Sequence, residues 1–131
     1  MAGYSGTPLE KKLGVKDGIT VYLDKAPDGF ALDAPTTTRL PKSATLSLTF
    51  HQQVSTLATR MPALVARTAQ AGAIWVCWPK KSARKLGFDS DLDENLVRQI
   101  GLDAGMVDVK VCAIDEVWSG LKFVRRLADR T

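Results

Sequence analysis

Two runs of β-branched and aromatic residues, 73–81 (AIWVCWPKK) and 107–116 (VDVKVCAIDE), each give way abruptly to charge. Such residues fit a pleated, buried surface, so both runs predict strands of a sheet. Pro79 forbids continuation of the first run. In open α/β sheets the polar loops that follow strand ends are where ligands bind. The charged ends of these two runs are therefore the first places to look for function.

A chain of 131 residues buries roughly two-thirds of its unfolded surface and is expected to form one α/β domain over 1–131. With 45% hydrophobic and 24% charged residues, the composition excludes a disordered or membrane class. No window supplies the ~20 apolar residues a bilayer span needs, and MAGYSGTPLEKK carries no secretory apolar stretch, so a cytoplasmic setting is expected. Cys77 and Cys112 sit inside apolar runs without CxxC spacing and read as free structural thiols. One histidine and these two cysteines converge at no ligand spacing, so no metal and no cofactor is expected.

Thr7 as a hydroxyl cap, Pro8, Leu9, Leu13 and a terminating Gly14 predict a short N-terminal helix. Residues 19–24 (ITVYLD) predict a strand, and 25–43, with Pro27, Gly29, Pro35 and Pro41, an irregular connection holding at most one helical turn. Residues 44–50 alternate, with Leu46, Leu48 and Phe50 on one face and a thinly covered Thr45, Ser47 and Thr49 face opposite. Val54, Leu57, Ala58, Met61, Leu64, Val65 and Thr68 recur at helical spacing, with Pro62 expected to kink or split that helix and Gly72 to close it. Residues 73–78 then form a strand, followed by the basic loop KKSARK. Asp91 with Glu94 resembles a capping box and predicts a helix over 93–103. Four helices is the upper limit. Residues 107–115 and 121–127, joined by a short Glu-Val-Trp-Ser-Gly link, predict an antiparallel pair.

This order predicts a small Rossmann-like open sheet of about five strands, mostly parallel with a C-terminal antiparallel hairpin. It resembles the C-terminal half of methyltransferase-like Rossmann folds. Where an S-adenosylmethionine-dependent methyltransferase would carry a glycine-rich turn after its first strand, this chain has Asp24-Lys25-Ala26-Pro27-Asp28-Gly29, with one glycine. Three further segments resemble the bacterial domain of unknown function 3052 family nearly end to end. They are GYSGTPL (3–9) with Lys12-Leu13-Gly14, WVCWPKK (75–81) and DVKVCAIDEVWSGLKFV (108–124). That resemblance implies a compact α/β domain and brings no catalytic residue or cofactor with it.

Parallel strands would line up Asp24 and Lys25, His51, Lys80 and Lys81, and Asp115 and Glu116 along one rim. His51 is the candidate general base, with Asp24 to orient its ring. Lys80, Lys81 and Arg84 are the candidate ligand-binding cations, able to hold a phosphate by charge and hydrogen bonds, although Asp89, Asp91, Asp93 and Glu94 follow closely and can neutralise them. Adjacent in sequence, Asp115 and Glu116 point to opposite faces of a strand, so they suit capping or hairpin stabilisation rather than a glycosidase pair. Trp75 and Trp78 also fall on opposite faces and read as core. Trp118 is the tryptophan expected to be exposed and to mark an interface.

Two functions fit. The favoured one is a non-catalytic binding or interaction module on a methyltransferase-like scaffold without the S-adenosylmethionine loop, with an unidentified protein partner or a second copy of the chain. The alternative is a binder of an anionic or nucleotide small molecule at the carboxyl ends of the strands, extending to a divergent enzyme. Nucleic acid and membrane are the least supported partners.

Overall fold

The computed structural model describes residues 8–130; Thr7 and residues 3–7 of the N-terminal motif lie outside the described residues. The elements follow the hydrophobic periods closely. They are α1 (Leu9–Leu13), β1 (Val21–Asp24), β2 (Thr36–Thr37), β3 (Ala44–Phe50), α2 (Val54–Ala66), β4 (Thr68–Pro79), a 3-10 helix (Lys81–Leu86), α3 (Glu94–Asp103), β5 (Met106–Ala113), β6 (Trp118–Arg125) and a short 3-10 turn (Leu127–Asp129). Pro8 stands at the N-cap of α1 rather than inside it, and Gly14 closes that helix at φ +85°.

Six strands form one sheet in the order β2-β1-β3-β4-β6-β5. Strands β1, β2, β3 and β4 pair in parallel, and β6 runs antiparallel between β4 and β5. All strands but β6 therefore end on one rim, as expected. The sixth strand is β2, a two-residue edge piece within the connection expected to hold at most a helical turn.

Each face of the sheet carries its own core. On one face Leu57, Met61 and Leu64 of α2 and Val97 of α3 pack with Tyr22, Ile74, Val76, Trp78 and Phe123 of the sheet. On the other face Leu13, Leu48, Phe50, Trp75, Cys77 and Trp118 are covered by Leu9, Phe30, Leu32 and Phe88 from short or irregular segments. Trp75 and Trp78 divide between the faces, as their spacing requires. Cys77 is a buried free thiol, and Cys112 a half-buried one.

Several local expectations are corrected. The polar face of β3 is covered over Ser47 and Thr49, which are buried, whereas Thr45 is exposed. Pro62 does not split α2, which runs unbroken past it. The bond it removes would reach the Ala58 carbonyl, on the exposed side of the helix. Gly72 lies inside β4 rather than closing α2, where a Cβ would come within 2.7 Å of the Ala44 carbonyl oxygen. The helix ends earlier, at Ala66, where Arg125 from β6 donates through Nη2 to the carbonyls of Val65 in the last turn and Thr68 in β4, both at 2.7 Å.

The acids near residue 91 are helix caps. Asp93 accepts from the Leu96 N–H at 2.8 Å and caps α3. Asp91 instead accepts from the Val54 N–H at 2.7 Å, capping α2 from a distant loop where Gln53 supplies no side-chain cap. Asp91→Ala is expected to cost about 1 kcal/mol, read as a lower urea midpoint. An unchanged midpoint would show that water caps α2 equally well.

Candidate functional site

Strand β1 connects toward β2 on one side of the sheet, whereas β3 connects toward β4 on the other. The order thus reverses between β1 and β3, and a crevice outside the carboxyl ends of the strands at such a reversal is where open α/β sheets bind ligands. Asp24 and His51 stand at the two strand ends that flank this crevice.

The structure joins them through residues that were not singled out. Period-two alternation puts Tyr22 and Asp24 on one face of β1, and Thr49 and His51 on the same face of the sheet beyond β3. The Asp24 carboxylate accepts from Tyr22 Oη at 2.9 Å, Thr49 Oγ1 at 2.7 Å, and Arg60 Nε and Nη2 both at 3.1 Å. Burial pushes that carboxyl up, but the bonds from Arg60, Thr49 and Tyr22 together outweigh it and hold Asp24 below its ordinary value. Asp24 is therefore an ionised anchor, saturated by its own neighbours.

The single Thr49 hydroxyl proton goes to Asp24, so Thr49 accepts from the Nε2–H of His51 at 2.7 Å. Asp24 thus orients His51 through Thr49 rather than by direct contact. The other ring nitrogen, Nδ1, lies 3.1 Å from Thr56 Oγ1 on α2. His51 is 2% exposed. Burial lowers its pKa to about 4; the attraction of Asp24 works against this, while Lys25 and Arg60 add to it. The imidazole is neutral near pH 7 and a weak base, poorly matched to proton abstraction at that pH.

Two grooves open on this network. The first, about 490 Å³, is lined by Lys25, Pro27, Phe50, His51, Gln52, Gln53, Thr56, Phe88 and Trp118. The second, about 400 Å³, runs along α2 and is lined by Lys25, Ser55, Thr56, Thr59, Arg60 and Ala63. Lys25 and Thr56 belong to both. Lys25 holds φ +58°, left-handed for a side chain that gains nothing from it locally.

Trp118 is corrected from exposed to buried, at 5% exposure. It belongs to β6 rather than to the turn, and it packs edge-on against Phe50 (centroids 5.2 Å apart) and Phe88 (6.1 Å) under the first groove. Asp115 stabilises the hairpin, accepting from the N–H groups of Val117 and Trp118 at 2.8 Å. Lys80, Lys81 and Arg84 line neither groove. Arg84 donates to the Ser90 carbonyl at 3.3 Å, while Asp91 and Asp93 cap helices and Glu94 pairs with Arg98. Among the described residues no cluster of histidine, cysteine and acidic side chains could hold a metal ion, and no helix is long and apolar enough to cross a membrane.

No family model matches the chain, and no curated protein matches it. Solved structures do. One is magnesium protoporphyrin IX methyltransferase (ChlM) from Synechocystis PCC 6803 with bound SAH, at TM-score 0.53 and 12% identity, covering 75% of this chain and 54% of that one. Another is LepI in complex with SAM, at TM-score 0.57 and 9% identity, covering 90% of this chain and 39% of that one. A third, described as a pericyclic reaction enzyme, gives TM-score 0.54 at 9% identity with coverage of 90% and 39%. The chain spans about half or less of the length of these structures. At such identities the likeness shows the fold alone: a mostly parallel, methyltransferase-like Rossmann sheet closed by an antiparallel C-terminal pair.

Proposed function

We propose that this chain is a non-catalytic small-molecule-binding domain on a methyltransferase-like scaffold, its ligand an anionic organic molecule seated at the carboxyl ends of β1 and β3. The observation that carries this reading is the pair of grooves meeting at the reversal of strand order, with Lys25 in both. A left-handed lysine at the mouth of a crevice is a strained residue kept where its side chain has work to do. Asp24 is saturated and His51 neutral, so the crevice offers fixed hydrogen-bond groups and one ammonium rather than a poised acid and base. Kinship with the bacterial domain of unknown function 3052 family, and a cytoplasmic setting, belong to the same proposal.

The test is a thermal-shift panel of S-adenosylmethionine, its demethylated product, nucleotides and phosphorylated metabolites. Lys25→Gly is expected to leave the unliganded domain within about 0.5 kcal/mol of the parent, because relief of the left-handed strain offsets the entropy glycine adds to the unfolded chain. The same variant is expected to abolish a ligand-induced rise in Tm of about a few degrees. Survival of every response in Lys25→Gly would overturn the Lys25 site, and its loss in Lys80→Ala with Lys81→Ala instead would move the site to the basic turn.

One observation favours the interaction reading beside this one. Val109 and Val111 are 54% and 50% exposed on the edge strand β5. The register shift between Asp108 and Lys110, together with the Lys110 charge, blunts this edge against strand addition, so contact there would run through side chains. A concentration-dependent dimer lost in Val109→Lys would support it, and a strict monomer would remove it.

A further inference from the structure

We infer that the ligand is a phosphate-bearing aromatic molecule of the nucleoside monophosphate class, with its ring in the first groove and its phosphate in the second. This rests on the binding reading above and names the class of ligand. The second groove is a donor surface: two cations, Lys25 and Arg60, and three hydroxyls, Ser55, Thr56 and Thr59, with no carboxylate in its lining. Asp24 lies beneath it and is saturated. Ser55 and Thr59 are one helical turn apart on an exposed side of α2, so both face the same groove. Within the described residues, Lys25 Nζ, Arg60 Nη1 and the hydroxyls of Ser55 and Thr59 make no hydrogen bond, although Arg60 Nε and Nη2 are held in place by Asp24 and Tyr22.

An orienting ion pair that leaves one guanidinium nitrogen free, beside an ammonium and hydroxyls, matches an oxyanion that takes several donors at once. A phosphate has three terminal oxygens for them. A sulfonium cation would meet like charge.

The first groove has the opposite character. Phe50, Phe88 and Trp118 give it aromatic walls, and the amides of Gln52 and Gln53 supply donors and acceptors suited to the edge of a heteroaromatic ring. Both volumes fall within the range of small-molecule sites. Lys25 and Thr56 at the shared boundary join the two halves, so ring and phosphate belong to one molecule.

The experiment is calorimetric titration of the full chain with the common ribonucleoside monophosphates, their nucleosides and inorganic phosphate, with Trp118 fluorescence followed in parallel. At least one monophosphate is expected to bind about tenfold or more tightly than its nucleoside, and Ser55→Ala with Thr59→Val to reduce that difference severalfold while nucleoside binding stays unchanged. Both positions are exposed, so the double variant is expected to keep the parental Tm. Trp118→Phe should remove most of the fluorescence response and weaken nucleoside and monophosphate alike, leaving the difference between them unchanged. A monophosphate and nucleoside of equal affinity, or a phosphate advantage undiminished in the double variant, overturns the phosphate assignment and leaves the crevice reading standing. No binding by any probe overturns the assignment too; the crevice reading then fails only if the wider thermal-shift panel shows no response dependent on Lys25.

Discussion

Gly101→Ala is expected to destabilise the domain by about 3 kcal/mol, lowering Tm by roughly 10 °C. On helix propensity alone the substitution should gain about 1 kcal/mol, since glycine is a poor residue inside α3. Packing reverses the sign. A Cβ at Gly101 would lie 2.5 Å from Cδ1 of Phe123 and overlap the rest of its ring edge. Phe123 has no exposed surface and pairs with Ile74 across the β4–β6 ladder, among Val97, Met106 and Leu121. Interiors at crystal-like density transmit such an insertion into backbone shifts. Gly101 thus sets how closely α3 lies on β6. Urea unfolding checks the figure, and adding Phe123→Leu should recover a substantial part of the loss by freeing the volume the methyl needs. A neutral or stabilised Gly101→Ala protein would mean that α3 stands further off the sheet.

The contrast between Gly101 and Gly14 shows what the chain discloses by itself. Gly14 is local: a short apolar period stops at a residue free to take positive φ, and both the helix and its end are legible. Gly101 answers to a ring 22 positions away, which no window of sequence contains. The same division runs through the other elements. Strict alternation located β3, and the length of the last link fixed the antiparallel pair, because both are short-range facts. The end of α2 was misplaced because part of what closes it lies outside the helical period: Arg125 on β6 binds the Val65 carbonyl and the Thr68 hydroxyl binds that of Leu64. The edge strand β2 is only two residues long and has no period to read. In the crevice Asp24 and His51 were visible as strand ends. Their connection was partly visible as well, since Tyr22 and Thr49 each stand two residues before them and so on the same face. Arg60 was hidden, for a cation on a helix does not announce which buried acid it meets.

His51 provides the second large effect. Between pH 7 and pH 5 the stability of the domain is expected to fall by about 2 kcal/mol, with a slope approaching about 1.4 kcal/mol per pH unit at the acid end. The hydrogen bonds around the ring do not decide this. In the neutral form Nε2–H donates to Thr49 and the Thr56 hydroxyl donates to Nδ1; in the charged form Nδ1–H donates to Thr56, whose proton then turns to the Gln53 carbonyl 3.0 Å away. Both forms are satisfied, so the cost of charging falls chiefly on burial, and then on Lys25 and Arg60 over the opposing pull of Asp24. The folded-state pKa, lowered from 6.5 to about 4, lies below the unfolded value, so across this interval the unfolded chain binds the additional proton. The stabilisation is complete above the unfolded pKa and is lost progressively as pH falls toward the folded one. Because His51 is the only histidine in the chain, no other imidazole contributes in that range. Denaturant unfolding at stepped pH should show the slope, and His51→Gln, which keeps an amide N–H for Thr49, should flatten it. The imidazole resonances give the direct reading: a midpoint near 4 agrees, whereas a midpoint near 6.5 would mean that the ring is reached by water, and the slope between pH 7 and pH 5 would then be absent.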